Sequence, residues 1–114
     1  MTTHGYLIRR PGRANTIVNA IQPAPGLYLY QDQPYRRCGI DYHWHIGHHS
    51  GLLIASAESA IVARQVIDEI ANFIDWTRSA EAIKADTSID VSDLRERIIY
   101  RTDGVFHQSR PAAA

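Results

Sequence analysis

The alternation of apolar and polar side chains is most regular between residues 36 and 47, where it repeats every two positions. Even-numbered positions from 38 to 46 carry Cys, Ile, Tyr, Trp and Ile, whereas the odd-numbered ones carry Gly, Asp and His. A period of two is typical of a β-strand that buries one face. The pattern therefore predicts one long strand that buries Cys38, with Gly39 as the position of a bulge.

A second apolar run, at residues 52–55, predicts the returning strand of a hairpin, and the length of the intervening loop sets its register. A two-residue loop at 50–51 would turn the odd-numbered positions of the return strand toward the apolar face. A three-residue loop at 49–51 turns the even-numbered ones, and it suits a left-handed Gly51. We expect the three-residue loop, which pairs residue 48 with 52 and 46 with 54. The apolar face then contains Trp44, Ile46, Leu52 and Ile54.

Three shorter runs of β-forming residues precede this hairpin, at 6–9, 16–21 and 27–30. Turn-forming residues separate the runs, and they predict turns at Pro11-Gly12, at 23–26 and at 32–34. These runs and the hairpin together predict an antiparallel meander of three to five strands.

Helical periodicity replaces the alternation after residue 59. Apolar side chains fall at 60, 63, 67, 70 and 74, which predicts an amphipathic helix, with Ser56 as its cap. Two shorter helices are predicted at about 78–85, capped by Thr77, and at about 91–100, capped by Asp90. Val105 and Phe106 suggest a last short strand.

The predicted fold class is therefore α+β: an antiparallel β-meander of three to five strands, followed by an amphipathic helix and two shorter helices. The length of 114 residues suits a single domain. Its β-rich half is predicted at 1–56, its helical half at 57–101 and a flexible tail at 108–114.

Composition and charge narrow the class of partner. One cysteine cannot form an internal disulfide, and no segment approaches the roughly 20 apolar residues of a membrane span, so we expect a cytoplasmic protein without a membrane partner. The net charge is zero, yet residues 1–55 carry five arginines against two aspartates. This basic first half suggests a polar partner.

Four histidines within seven residues, from His43 to His49, suggest a metal site, because imidazole binds transition metals well. Strand geometry divides the cluster, since His43 and His45 share the polar face with Asp41, whereas His48 points to the other face. We therefore expect no metal ligands, and Asp41, His43 and His45 are the alternative should a metal bind.

The outer, polar face of the predicted sheet combines aromatic rings with cations. If Leu27 and Leu29 face the core, the tyrosines between and after them face outward. Cations contact phosphates and rings stack on bases, as in nucleic-acid binding, although protein interfaces also favour Tyr and Arg. A loop with three further arginines lies nearby in sequence. The candidate partner-binding residues are Arg9, Arg10, Arg13, Tyr28, Tyr30, Arg37, His43 and His45.

Two segments carry a resemblance to other proteins. The run Trp44-x-Ile46-x-His48-His49-Ser50-Gly51-Leu52 and the helix 63–74 ending in Asp75-Trp76-Thr77 resemble small uncharacterised proteins of actinobacterial genomes, plasmids and phages. The resemblance covers about a third of the chain. It implies a mobile-element setting and brings no activity or site residues with it.

These observations predict a non-enzymatic binding module that acts through the outer face of its sheet. Nucleic acid is slightly favoured over protein as the partner, because the sheet half is the basic half. The alternatives are a phage-encoded inhibitor that binds a host protein and a small metal-binding protein that uses His43 and His45. No P-loop or dinucleotide-binding motif is present, and no cofactor is expected. Zero net charge makes a homo-oligomer a further expectation.

Overall fold

Six antiparallel strands pair in the order in which they occur along the chain, and three helices lie between the fifth and the sixth. The computed structural model describes residues 3–9, 12 and 14–107. The strands are β1 (His4–Ile8), β2 (Thr16–Ala24), β3 (Leu27–Arg37), β4 (Ile40–His48), β5 (Leu53–Ala57) and β6 (Val105–Phe106). The helices are α1 (Ala60–Ile70), α2 (Ala80–Ala85) and α3 (Val91–Ile99). The α+β fold class is confirmed, with one strand more than the upper number expected.

The long strand predicted from residue 36 is wrong, because a tight turn interrupts it at Cys38-Gly39. Both turn residues have positive φ, 52° and 78°, as a two-residue hairpin turn of type I′ requires. Arg37 pairs with Ile40 across this turn, and Cys38 is exposed rather than buried. The alternation of apolar and polar residues correctly predicted a strand from residue 40 onward. The same alternation also includes the turn residues 38 and 39, and this part of the pattern arose by chance.

The turn predicted at 32–34 is also wrong, because these residues lie inside β3. Their pairing with β4 shifts between Gln31 and Tyr35, which marks a bulge. The described pairs between β2 and β3 extend only to Leu29 on β3, so Pro34 removes no hydrogen bond from that pairing.

The loop between β4 and β5 is confirmed as the three-residue loop 49–51. The amide of His48 donates to the carbonyl of Leu52 at 2.9 Å, and Gly51 has φ of 94°. Further from the loop, however, the predicted register is wrong, because one extra residue in β5 shifts it. Ile46 lies opposite Ala55, and Trp44 lies opposite Ala57.

The main core lies between the inner face of β3–β5 and the helices. Its most deeply buried large side chains include Leu27, Ile46, Val66, Ile70 and Ile98. The stripe predicted on α1 is confirmed at 63, 66, 67 and 70, which are buried. The helix ends at Ile70, earlier than predicted, so the buried Ile74 lies beyond it. No helix among the described residues is long and apolar enough to span a bilayer.

The helix caps were predicted correctly only in part. The side chain of Asp90 accepts from the amide of Asp93, as expected at the start of α3. Ser59 rather than Ser56 caps α1, and Ser79 rather than Thr77 caps α2. Ser56 is buried inside β5, where its hydroxyl has a different role.

Candidate functional site

The outer face of the sheet is covered by β1, which contradicts its prediction as an open binding surface. The ring of Tyr6 stacks on Tyr28 at 4.7 Å and lies 5.3 Å from Tyr30. The Tyr6 hydroxyl donates to the carbonyl of His48, and its ring lies directly over the backbone of Gly47. Burial raises the pKa of Tyr6 well above its usual range. A second, smaller core therefore fills the surface expected to bind a partner.

Burial removes two predicted contact residues from solvent and partly removes a third. Tyr30 and His45 are only 4% and 5% exposed, and Tyr28 is half-buried. The prediction failed because an outward-facing position on one strand is solvated only if no other segment covers it. Here residues 4–8 cover it, and sequence periodicity does not show which strand crosses which face.

A chain of hydrogen bonds links β3, β4 and β5 with His107, the residue that follows β6. The Nδ1 atom of His45 lies 2.7 Å from the hydroxyl of Ser56, and Nε2 of His107 lies 2.9 Å from the same hydroxyl. On its other side, Nε2 of His45 lies 2.9 Å from the carbonyl oxygen of Gln33. We call this set the histidine network; it consists of Gln33, His45, Ser56 and His107.

The directions of the bonds in the histidine network follow from one fixed acceptor. A carbonyl oxygen can only accept, so Nε2 of His45 carries a proton and its Nδ1 accepts from Ser56. The single proton of Ser56 is then used, and its oxygen accepts from Nε2–H of His107. Both rings satisfy these bonds in their neutral forms. Burial, with a smaller effect of His45, lowers the pKa of His107 to about 4.

We expect replacement of His107 by glutamine to reduce the pH dependence of stability between pH 6.5 and pH 4, and His48, whose pKa burial also lowers, to account for part of what remains. The unfolded chain protonates this ring near its ordinary pKa of 6.5, whereas the folded chain does so only near 4. The contribution of the neutral His107 ring to the free energy of unfolding is therefore fully present above pH 6.5, and it is lost as the pH decreases through this window. The loss is about 2 kcal/mol, less than the pKa difference alone implies, because the ring is partly exposed.

Urea unfolding at pH 7 and pH 4.5 measures this effect for the wild-type protein and for His107→Gln. Glutamine keeps an N–H for Ser56 but has no titrating group in the window. Measurement above pH 4.5 also avoids Asp86, whose pKa the neighbouring Ser88 and Arg78 lower to about 2. Parallel pH profiles for the two proteins would show that His107 is not held neutral.

The neighbouring histidines form a separate anchor for the loop before α2. Nε2 of His48 and Nε2 of His49 both donate to the carbonyl of Arg78 at 2.9 Å. The Nδ1 atom of His48 accepts from the hydroxyl of Ser50 at 2.8 Å. Burial, together with the neighbouring His49, lowers the pKa of His48. These rings hold the β4–β5 loop against the helical half.

The predicted alternative metal set is not assembled. His45 engages both ring nitrogens within the histidine network, so neither has a lone pair to offer a metal. Asp41 forms an ion pair with Arg36 at 3.2 Å, and His43 is exposed. Within 3–9, 12 and 14–107, no three His, Cys, Asp or Glu residues come together as a metal site would require.

A serine hydrogen-bonded to a histidine suggests nucleophilic catalysis, but here these hydrogen bonds connect strands of the sheet. Ser56 is 0% exposed, so no substrate reaches its oxygen. No local pattern predicts this bond, because Ser56 and His107 are 51 residues apart. Only the pairing of β5 with β6 brings them together.

One exposed part of the sheet is the outer half of the β3–β4 hairpin, residues 31–43, which we call the ribbon. Its terminal pairs join β3 only to β4, since the described β2 and β5 pairs end at Leu29 and Trp44. Paired residues share a face, so one face of the ribbon contains Tyr35, Arg37, Ile40 and Tyr42. Tyr35 and Ile40 are 38% and 40% exposed.

The remaining predicted contact residues are thus dispersed. Arg37 was expected beside His43, but the turn at 38–39 places it on the other face of the ribbon, opposite Ile40. Arg9 is exposed beside the end of β1, and its amide donates to the carbonyl of Gly51. Arg10 and Arg13 lie outside the described residues.

Comparisons with protein-family models, with curated proteins and with solved structures found no match to this chain. The fold therefore defines the protein only as a small α+β domain with a six-stranded antiparallel meander.

Proposed function

We propose that this protein is a non-enzymatic binding module that uses the ribbon to hold another protein. The observation that carries this proposal is the face of the ribbon that contains Tyr35, Arg37, Ile40 and Tyr42. This face exposes Tyr35 and Ile40 beside Arg37, although the ring of Tyr35 also packs edge-on against His107 at 4.6 Å. Tyr and Arg are among the residue types enriched at protein interfaces.

Charge favours protein over nucleic acid as the partner. The arginine on the other face of the ribbon, Arg36, is already paired with Asp41 at 3.2 Å. The ribbon contains two arginines and two aspartates, and the whole chain has a net charge of zero. A nucleic-acid interface is normally clearly basic, because it must neutralise several phosphates. This changes the preference expected from the sequence, in which the outer face was taken as a basic surface.

The backbone of the ribbon adds a second means of attachment. The outer edges of residues 35–37 and 40–43 have no described strand beside them. An extended segment of a partner can add to such an edge through main-chain hydrogen bonds, while side-chain contacts supply specificity. The partner we expect presents an extended segment with apolar side chains and a carboxylate for Arg37.

We expect the double variant Arg37→Ser, Ile40→Ser to lose its partner while keeping its fold. The two residues face each other beside the turn and lie outside both buried cores, so the melting temperature should change little. A tagged wild-type protein should capture a partner from a host lysate. With the purified partner, the double variant should bind at least about tenfold more weakly, as for interface residues that cost more than 1 kcal/mol.

The matched control is Ile61→Ser, Tyr100→Ser, which removes two exposed apolar side chains from the helical half, 73% and 82% exposed. It should bind the purified partner like the wild type. Equal binding by both double variants would refute the role of the ribbon. DNA or RNA binding that weakens with salt and depends on Arg37 would establish a nucleic-acid partner instead. Concentration-dependent sedimentation lost in the ribbon variant would identify a second copy of the chain as the partner.

A further inference from the structure

A pocket opens on the side of the molecule formed by β5 and the helices, and no residue of the ribbon lines it. Its volume is about 390 Å³, within the range of roughly 300–1,000 Å³ typical of small-molecule sites. Its walls are mainly aliphatic and aromatic, from α2 and the segment before it, from α3 and from the β5 and β6 strands. They include Leu53, Ile74, Ile83, Leu94 and Phe106.

The polar groups at the inner wall of the pocket are already satisfied. His48 uses both ring nitrogens, one toward Ser50 and one toward the carbonyl of Arg78. His107 donates to Ser56, and burial lowers its pKa to about 4, so it is neutral at pH 7. The inner wall therefore offers no positive charge, and an ionised group placed there would lose its hydration without compensation. The interior suits an apolar tail.

Two charged residues, Asp86 and Lys84, line the rim of the pocket, and only Asp86 has an ion-pair partner among the described residues. Asp86 is bound by Arg78 at 2.7 Å and by the hydroxyl of Ser88 at 2.6 Å. Lys84 also lines the pocket and, among the described residues, has no ion-pair partner. The charge available to a ligand at the rim is therefore the positive charge of Lys84.

We propose that this pocket binds a small amphipathic carboxylate, with its apolar tail among Leu53, Ile74 and Leu94 and its carboxylate at Lys84. The proposal is independent of the ribbon, because none of these residues belongs to residues 31–43. An apolar pocket with one convergent charged group is the usual composition of a small-molecule site. The carboxylate remains in the solvated rim, which avoids the cost of burying its charge.

Octanoate, kept below its micellar concentration, is the probe for this proposal, and 1-octanol is the matched ligand that lacks the charge. Amide shifts in ¹H–¹⁵N spectra of the full chain report where each probe binds. We expect octanoate to shift residues 52–54, 83–84 and 94. Lys84→Met keeps the apolar stem and should weaken octanoate about two- to fivefold, as for an exposed ion pair, while it leaves octanol unchanged.

Val91→Trp blocks the pocket without disturbing the core, because Val91 lines it and is 43% exposed. This variant should weaken both probes at least about tenfold. The proposal is overturned if the shifts fall elsewhere on the molecule, if Val91→Trp binds octanoate like the wild type, or if Lys84→Met does not distinguish octanoate from octanol. The ribbon variant Arg37→Ser, Ile40→Ser should bind octanoate normally, so this result is separate from the test of the protein partner.

Discussion

Replacing Tyr6 with alanine is expected to lower the free energy of unfolding by about 3–5 kcal/mol, the cost of removing a large buried aromatic side chain. Tyr6 is 4% exposed and packs against Tyr28 and Tyr30 over the outer face of the sheet. Its loss would leave a cavity in the smaller core and detach β1 from β4. Urea or guanidinium unfolding monitored by circular dichroism measures the change.

Two further variants separate the contributions of Tyr6. Tyr6→Phe keeps the ring and loses the bond to the carbonyl of His48, which still accepts from the amide of Gly51 at 2.8 Å. We therefore expect a cost of only about 1 kcal/mol. Leu7→Ala, on the same strand but 43% exposed, should cost less than about 1 kcal/mol. If Tyr6→Ala cost no more than Leu7→Ala, β1 would not lie on the sheet as described.

Replacing Gly26 with alanine is expected to cost more than about 3 kcal/mol. Gly26 has φ of 80°, a conformation that costs an alanine about 1–2 kcal/mol. In addition, an alanine Cβ would lie 2.2 Å from the carbonyl oxygen of Trp76 and 2.8 Å from the amide nitrogen of Thr77. These atoms belong to the backbone, so the β2–β3 turn and the segment before α2 would have to move apart.

Gly39 provides the matched control for Gly26. Its φ of 78° is almost the same, but no heavy atom lies within 4 Å of the position of a Cβ. Gly39→Ala should therefore cost only the backbone term of about 1–2 kcal/mol. Chemical unfolding measures the free energy that each substitution costs. The difference between the two costs reports the close approach of the β2–β3 turn to the helical half. Equal costs would mean that this approach is absent.

The structure changes which surface is the best candidate for binding. Tyr30 and His45, chosen from the sequence, stabilise the covered side of the sheet. Tyr35 and Ile40, which were not chosen, lie on the exposed ribbon. The sequence contained a signal for the ribbon in Cys38-Gly39, a short turn between alternating strands, but the regular alternation through residue 38 concealed it.

The sequence by itself determined the features that depend on neighbouring residues. The stripe at 63, 66, 67 and 70 specified a helix with one buried face, and Asp90 specified the start of α3. Gly51 specified the three-residue loop, since a left-handed residue is needed at that position. Each of these follows from local geometry, in which the period or the turn chemistry is set within a few residues.

Only the tertiary structure decided what covers the outer face and which polar groups meet beneath it. Periodicity reports that a strand has two different faces, but it does not report which distant segment packs on either face. The stacking of Tyr6 on Tyr28 and the bond of His107 to Ser56 join residues far apart in the chain. Their positions depend on the order of strand pairing and on one bulge in β5, and both are set by the packing of the whole sheet.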